Sequence, residues 1–452
     1  MKKCFFILFF SLLMVGCRSN NSSSAPLSNS FSDDISIDEN MLTKIYTIDD
    51  FKSIKNNLEG NYILENDIYL DENWESIGIE QLPFKGYFDG NNHTIFSENT
   101  TFKINQEYEN SKINNGVVDF EYNGFGGIFG YNTGYIKNLN INGNYYFDVN
   151  ELPDVTNSNI DFNAYTLKYK VYLGILVGYN DGTISNVKIN GKLDIKDNIE
   201  RLETSYLRVG LLNGKNTGTI KYTRTIGEID VALHQGKNGR IGGMIGSTGN
   251  CLIKESFAEV KINVLTSYSN AFVGGFVGYM EGGSIENSYA LSSSIDVTGS
   301  INDNGNVRLG GFVGCIDTLE KVVDIKNSYA KIANLNAVGK KNSIGGFVGL
   351  IDLLESASIN SSFSEVKVLT SSAKSDADNQ AGLFIGQVND SMNKNSLNVI
   401  NSYYISGTIY EININNNYAT QKDISELIYV LNWDFENIWT NEFKLKIGEN
   451  NG

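Results

Sequence analysis

Apolar and polar residues alternate along most of this chain, in short runs that glycine and asparagine separate. The runs KLDI at 192–195, EIDV at 228–231 and SIDV at 294–297 are examples. A period of two is typical of half-buried strands, and none of these runs is long enough for a helix. The pattern predicts an all-β protein made of many short strands and turns.

A glycine motif, Gly-x-x-x-Gly, marks one unit after another along the chain. It occurs eight times, and the last glycines of successive motifs are 48, 36, 32, 32, 36, 35 and 37 residues apart. The motifs lie at 126–130, 174–178, 210–214, 242–246, 274–278, 310–314, 345–349 and 382–386. Each unit offers about three strands and cannot bury its own apolar face, whereas stacked units can. The repeat therefore predicts a solenoid in which each unit is one coil of a parallel β-helix.

The residues in and after the motif predict columns of like side chains along the solenoid axis. We expect the motif glycines to allow a tight corner or a positive φ, and to leave room between coils. Asparagines that share one register position can hydrogen-bond as a ladder. These are Asn138, Asn186, Asn287, Asn327 and Asn401. A second, aromatic column comprises Phe257, Tyr289, Tyr329, Phe363 and Tyr403. We interpret it as a structural stack, and a strip that binds sugar rings is the alternative.

Both ends of the repeat region differ from the repeats, which is typical of caps. Thr47, with Asp50 three residues on, predicts the start of a short N-terminal helix. The stretch DISELIYVLNWDFENIW at 423–439 predicts a second short helix followed by a strand. The predicted boundaries are 45–123 for the N-terminal cap and first coil, 124–410 for the repeats, and 411–452 for the C-terminal cap.

The N-terminus resembles a bacterial lipoprotein signal. A short basic start precedes a thirteen-residue apolar run, too short to span a bilayer comfortably, that ends at Gly16-Cys17. We expect residues 1–16 to be removed, Cys17 to carry the lipid, and residues 17–44 to act as a flexible polar tether. The protein would then be anchored in the cell envelope, at the outer membrane or cell surface. An ordinary secretory signal is the alternative.

Charge and cysteine content narrow the partners and the covalent chemistry. The formal net charge of −16 disfavours binding to nucleic acid and to anionic lipid headgroups. Apart from Cys4 in the signal and Cys17, only Cys251 and Cys315 remain. They lie two repeats apart at different offsets, whereas a disulfide needs Cα atoms within about 7 Å. We expect both thiols to be free and buried.

The motif GGFVG followed by Ile-x-Asn-Ser-Tyr-Ala resembles the GLUG repeat of bacterial surface proteins. The resemblance covers roughly residues 45–440, and it includes YILENDIYLDENWESIG and PFKGYFDGNNHTI before the first motif. This repeat is known in adhesin-like proteins and beside the catalytic domains of IgA1-cleaving zinc metallopeptidases. The resemblance implies a right-handed β-helix exposed at a cell surface, and it does not imply one particular ligand.

Few residues of this chain predict catalysis. A zinc metallopeptidase needs two histidines four residues apart with an adjacent glutamate. The histidines here are His93 and His234, and neither has that motif. Asp194, Asp230 and Asp296 recur at one repeat position and form a candidate acidic column, for which a solvated outer face is the plainer interpretation. The sequence predicts no metal site and no cofactor.

These observations favour a non-catalytic protein that presents a β-helical rod for adhesion or ligand binding. Its expected partners are the membrane, through the lipid anchor, and a host matrix protein or a glycan. The longer inserts at 97–123 and 148–170, and a smaller one at 370–380, are candidate binding loops on a rigid scaffold. A polysaccharide-degrading enzyme, lyase or glycosidase, on the same scaffold is the alternative, and a structural spacer is a third hypothesis.

Overall fold

The chain folds as a parallel β-solenoid, as the alternation and the repeat predict. The computed structural model describes residues 37–114, 117–148, 165–196, 204–233, 237–267, 269–302, 305–318, 321–353, 355–390, 396–405, 407–410, 414 and 418–446. Strands of successive coils pair in register and in the same direction, and one described pair, Asn105–Asn114 with Val117–Gly126, is antiparallel. Residues 37–41 belong to a separate short unit and contain the 3₁₀ turn Glu39–Met41.

Each coil that carries the glycine motif passes through three sheets in turn. For the coil with the motif 242–246, the strands are Lys237–Gly242 in sheet 1, Ile245–Thr248 in sheet 2, and Leu252–Lys254 and Phe257–Thr266 in sheet 3. The next coil repeats this path, because Gly242 pairs with Gly274 and Ile245 pairs with Val277. The glycine motif is therefore the corner between sheets 1 and 2.

The three sheets account for every described strand. Sheet 1 comprises Asn105–Asn114, Val117–Gly126, Tyr165–Gly174, Thr204–Gly210, Lys237–Gly242, Asn270–Gly274, Asn306–Gly310, Lys341–Gly345 and Asn379–Gly382. Sheet 2 comprises Phe129–Asn132, Val177–Asn180, Asn213–Asn216, Ile245–Thr248, Val277–Met280, Val313–Asp317, Val348–Leu353 and Ile385–Asp390. Sheet 3 comprises Thr43–Ile45, Asn61–Leu64, Ile68–Tyr69, Asn73–Glu75, Tyr87–Asp89, Thr94–Lys103, Tyr135–Asp148, Thr183–Lys196, Thr219–Lys221, Arg224–Leu233, Leu252–Lys254, Phe257–Thr266, Gly283–Glu286, Tyr289–Ser292, Ile295–Thr298, Val323–Lys326, Tyr329–Val338, Ala357–Asn360, Phe363–Ser372, Leu397–Ile400, Tyr403–Ile405, Ile409–Tyr410 and Thr420–Lys422.

Helices are few and short in the described part of the chain. The α-helices are Ile48–Ser53 and Ile424–Val430, and further 3₁₀ turns are Ile54–Asn56 and Asp376–Asp378. Neither α-helix is long and apolar enough to cross a membrane.

The motif glycines are needed because backbones approach each other closely at the corner. A Cβ on Gly274 would collide with the carbonyl oxygen of Val277, and one on Gly278 would collide with the backbone nitrogen of Ile241 in the preceding coil. Neither glycine has a left-handed φ. Of the two predicted reasons for the motif, close approach holds at this corner and positive φ does not.

A left-handed φ occurs instead at the asparagine column, where sheet 3 bends. The five predicted asparagines have φ values between 47° and 53°. Asn186 Nδ2 donates to Asn138 Oδ1 at 2.8 Å, and Asn327 Nδ2 donates to Asn287 Oδ1 at 3.1 Å. The ladder is confirmed for these two pairs of adjacent coils. In the coils between, the same position is occupied by Tyr222, Glu255 and Ser361. Asparagine recurs here because it tolerates a left-handed backbone better than most residues.

The serine after each of the last three asparagines belongs to a buried column that satisfies backbone groups. The backbone N–H of Ser288 donates to Ser328 Oγ at 3.3 Å, and that of Ser328 donates to Ser362 Oγ at 3.3 Å. Each hydroxyl in turn donates to the carbonyl two residues earlier, as Ser328 Oγ does to Lys326 at 2.7 Å. The Asn-Ser pair of the repeat thus has two causes at one bend. The asparagine takes the left-handed conformation, and the serine hydroxyl accepts the hydrogen bond of a backbone amide there.

The N-terminal helix forms as its capping residues predict. Asp50 N–H donates to Thr47 Oγ1 at 3.2 Å, and Thr47 N–H donates back to Asp50 Oδ2 at 3.0 Å. Phe51, on the apolar face of this helix, is fully buried and lies 5.3 Å from Trp74 and 5.7 Å from Phe88, ring centre to ring centre. The helix therefore packs onto the aromatic core of the first coil.

The C-terminal segment joins the last described coil and then folds back along the solenoid. Thr420–Lys422 pairs with Tyr403–Ile405, and the helix Ile424–Val430 follows. Trp433, beyond that helix, donates its indole N–H to the carbonyl of Ser361 at 2.8 Å. The segment thus covers part of the side of the stack as well as extending it.

Replacing Glu255 with asparagine should stabilise the protein. Glu255 occupies the asparagine column with a φ of 46°, and burial raises the pKa of its carboxyl. Glu255→Asn should raise the free energy of unfolding by about 1 kcal/mol, because it relieves left-handed strain and removes a half-buried carboxylate. Urea denaturation measures the change. Glu259→Asn, at an exposed strand position without a left-handed φ, is the control. An equal gain in the control, or a loss in Glu255→Asn, would contradict the explanation.

Candidate ligand-binding groove

Two columns of outward-facing side chains converge at the glycine corner. One column, on sheet 1, takes the residue two positions before each motif, or directly before it for the motif at 126–130. Its members are Phe125, Tyr172, Arg208, Arg240, Phe272, Arg308, Ser343 and Gln380. The other column takes the residue directly after the motif, on sheet 2. Its members are Tyr131, Tyr179, Lys215, Ser247, Tyr279, Cys315, Leu350 and Gln387.

Side chains from the two columns contact each other across the corner. The rings of Tyr172 and Tyr179 are 5.2 Å apart, and those of Phe272 and Tyr279 are 4.9 Å apart. These rings belong to two small clusters that are distinct from the main core. The outer faces of sheets 1 and 2 therefore form a concave junction, here called the groove, which runs along the solenoid axis.

Three arginines in the groove have guanidinium nitrogens without a hydrogen-bond partner among the described residues. Arg208 is only 6% exposed, and both its Nε and its Nη1 are buried and unpaired. Arg240 Nε and Arg308 Nη1 are likewise buried and unpaired. The Arg208 guanidinium lies 4.9 Å from the centre of the Tyr172 ring, which offers a face but no acceptor oxygen. A buried donor of this kind is costly unless something else accepts its hydrogen bonds.

Cations outnumber carboxylates at the centre of the groove. Arg240 Nη1 donates to Glu281 Oε1 at 2.7 Å, and Lys215 Nζ lies 3.5 Å from Glu281 Oε2. Further along, the hydroxyl of Tyr279 donates to Asp317 Oδ2 at 2.5 Å. Arg208 and Arg308 have no such carboxylate bond among the described contacts. The centre of the groove is thus locally cationic on a chain whose net charge is −16, whereas the Asp352 carboxylate partly offsets the charge of Arg308.

The pKa values in the groove follow from burial and from this crowding of charge. Burial lowers the pKa of Lys215, and the nearby Glu281 opposes the shift. Burial alone would raise the pKa of Glu281, but Arg240, Lys215 and Arg208 together bring it below its usual value. Glu281 is therefore ionised at neutral pH. It carries no proton to donate there, so it is a poor candidate for a general acid. The arrangement is suited to binding an oxyanion through guanidinium N–H groups.

The groove was not predicted, although the sequence contains a usable signal. Arginine recurs two residues before the first glycine of three motifs, those at 210–214, 242–246 and 310–314, in the sequences RVG, RIG and RLG. An offset identifies a column but not the angle between two sheets. That angle decides whether a column faces open solvent or a second column.

The predicted acidic column occupies one register position of sheet 3. Asp194 pairs with Asp230, and Asn263 intervenes between Asp230 and Asp296. Asn263 Nδ2 donates to Asp230 Oδ1 at 2.7 Å, and Lys192 Nζ lies 2.5 Å from Asp230 Oδ2. Lys192 therefore offsets the charge of Asp230, and Asn263 separates Asp230 from Asp296, while the solvated-face interpretation stays a prediction. No group of three or more His, Cys, Asp or Glu side chains that could hold a metal ion occurs within the described ranges.

The predicted aromatic column is a structural stack that the C-terminal segment covers. Phe257, Tyr289, Tyr329 and Phe363 stack at 4.6, 4.9 and 4.8 Å, and all four are buried. Trp439 lies 5.8 Å from Tyr329 and packs in the same cluster. These four ring faces are not available to sugars in this structure, so the stacking interpretation is confirmed for them, whereas Tyr403 is half-buried.

The remaining candidates are placed as follows. Cys251 and Cys315 are free and buried, as expected. His93 lies beside a first-coil turn, with Nδ1 3.3 Å from Asp67 Oδ1. Cys17 and His234 lie outside the described residues. Of the candidate loops, 97–123 includes an antiparallel hairpin on sheet 1, most of 148–170 lies outside the described residues, and 370–380 holds the turn Asp376–Asp378.

Comparison with known proteins finds matches to solved structures at low identity. No family model matches this chain, and no curated protein matches it significantly. A crystal structure named "putative immunoglobulin A1 protease from Bacteroides ovatus" is 16% identical with a TM-score of 0.41, covering 91% of this chain and 94% of that one. A structure named "IgA1 Protease" is 14% identical with a TM-score of 0.43, covering 80% of this chain and 21% of that one. This chain therefore spans about a fifth of the second protein. The GLUG and lipoprotein assignments stay predictions.

The Glu281 carboxylate should stabilise the fold in a pH-dependent way. Its lowered pKa means that the folded state favours the ionised carboxylate. The carboxylate therefore stabilises the fold above pH 4.5, its ordinary pKa, and this stabilisation is lost as the pH falls through the pKa of the folded state. Glu281→Gln should lower the free energy of unfolding at pH 7 by about 1–2 kcal/mol, partial exposure limiting the effect. The difference from wild type should shrink in acid.

Urea denaturation at neutral and acid pH measures this effect. Glu442→Gln removes an exposed ion pair with Lys444 and should change stability by less than about 0.5 kcal/mol. A Glu281→Gln penalty that is independent of pH would show that the carboxylate charge is not its cause.

Proposed function

We propose that this protein is a non-catalytic, lipid-anchored surface protein that binds a ligand along the groove of its β-helical rod. The carrying observation is Arg208, a buried guanidinium with two unpaired nitrogens at a concave junction. Side chains on paired strands hold their positions without a ligand, which reduces the entropic cost of binding. The expected partner is a host matrix protein or a glycan.

The form of the groove favours an extended ligand. Its two columns cross the coils from Phe125 to Gln380 on sheet 1 and from Tyr131 to Gln387 on sheet 2. A polymer that lies along the axis meets one pair of side chains per coil, at intervals of about 4.8 Å. Such contacts add along the chain, so weak individual sites can give useful affinity.

Membrane attachment follows from the lipoprotein interpretation of the N-terminus. Cys17→Ala should release the protein from membranes into the soluble fraction, because the proposed attachment is the lipid on Cys17. Fractionation of cells that express each form measures this. Serine at the neighbouring position 19 can be changed to alanine as the control. Continued tight membrane association of Cys17→Ala would contradict lipid anchoring.

The binding function predicts saturable association with a polymer and no breakdown of it. The purified Cys17→Ala chain should bind at least one member of a panel of glycans and matrix proteins. Incubation with that polymer should release no reducing sugar and no unsaturated sugar. Failure to bind any member would favour the spacer, and release of either product would favour the polysaccharide-degrading alternative.

A further inference from the structure

The groove contains the one buried guanidinium with two unpaired nitrogens in the described part of the chain. An arginine cannot lose its charge in a protein, so Arg208 remains a buried cation. Arg240, in the next coil, adds a second positive charge and lowers the pKa of Arg208 further, after burial. The Tyr172 and Tyr206 rings lie beside Arg208, and its charge favours the carboxylate of Glu281. None of these groups accepts a hydrogen bond from Nε or Nη1. An apolar side chain would fill the same space without an unpaired donor. The position is explained if a ligand supplies the acceptor.

Two further arginines give the site a direction and a spacing. Arg240 follows Arg208 by one coil, and Arg308 follows Arg240 by two, with Phe272 between them. Parallel coils are spaced at about 4.8 Å, so unpaired guanidinium nitrogens recur at about 4.8 and 9.6 Å along the groove. A polymer with acidic groups at regular intervals would reach more than one of them.

The strands that line the groove disfavour a peptide as that polymer. Lys237–Gly242 and Ile245–Thr248 are each paired with strands of both neighbouring coils. An extended peptide in the groove would find no free strand edge, which removes the main-chain pairing by which sheets commonly bind peptides. The groove instead offers side chains alone, and its unpaired guanidinium N–H groups suit the oxyanions of an acidic sugar chain.

We propose that the groove binds an acidic polysaccharide, with its carboxylate or sulfate groups accepting hydrogen bonds from Arg208, Arg240 and Arg308. This rests on the proposed function and specifies the ligand chemistry of the same groove. Guanidinium binds both kinds of oxyanion through parallel N–H groups. Because the chain as a whole is acidic, the attraction is local and is weakened by salt.

A stability measurement separates this role from a structural one. Arg208→Met keeps the bulk of the side chain and removes the unpaired charge, so its Tm without ligand should equal or exceed that of the parent chain. A structural arginine would behave oppositely, because its partners would lose their hydrogen bonds. Arg224→Met, at a half-buried position on a sheet 3 strand outside the groove, is the control for the same substitution.

Binding is then measured with the purified Cys17→Ala chain and four probes: polygalacturonate, heparin, neutral dextran and poly-glutamate. Polygalacturonate, heparin or both should bind the protein and raise its Tm. A higher salt concentration should weaken this binding. Arg208→Met should weaken binding by about tenfold or more, Arg208→Lys should weaken it less, and Arg224→Met should leave it unchanged. Preference between the two anionic glycans identifies the carboxylate or the sulfate as the bound group.

Distinct outcomes overturn distinct claims. Binding of dextran or of a matrix protein with no effect of Arg208→Met would overturn this inference and leave the proposed function in place. Tighter binding of poly-glutamate than of either acidic glycan would overturn the choice of polysaccharide. A lower Tm for Arg208→Met with unchanged glycan affinity would show that Arg208 is structural.

Discussion

Close approach of backbones at the glycine corner is the constraint on which this structure depends. Any side chain at Gly274 or Gly278 would overlap backbone atoms of its own or a neighbouring coil. The backbone at the corner therefore has the same geometry in successive coils, and the strands of each coil pair in register with those of the coil before. Because side chains on strands alternate with a period of two, one fixed corner also fixes which residues of every coil point inward. The columns of like residues are consequences of that register.

Most columns satisfy their own polar groups along the axis, and the groove does not. Asparagine donates to asparagine, and each serine hydroxyl accepts from the serine amide of the preceding coil, so a repeated residue supplies both donor and acceptor. Arginine has donors only, and a second arginine above it adds repulsion. Repetition that stabilises the interior therefore destabilises the column that holds Arg208 and Arg240. This difference in chemistry, rather than any catalytic motif, distinguishes the groove from the scaffold around it.

Sequence reasoning succeeded where a property follows from local pattern and failed where it depends on distant contacts. The solenoid, the Thr47–Asp50 cap and the asparagine ladder all follow from spacing within one unit or between adjacent units. The aromatic column was predicted as a stack, but its cover comes from Trp433 and Trp439, which follow it in sequence by no fixed repeat. The groove depends on the angle between two sheets, which no offset in the sequence reports.

The cost of the arginine column also explains why such a site can persist on this scaffold. Each coil buries apolar residues against two neighbours, so stability accumulates with the number of coils. A long stack can therefore tolerate a few unpaired guanidinium groups that would unfold a small domain. An isolated coil could not hold Arg208 in place, because its position is set by strands on both sides. The repetition thus supports binding in two ways: it aligns the cations, and it offsets the free energy lost by burying them.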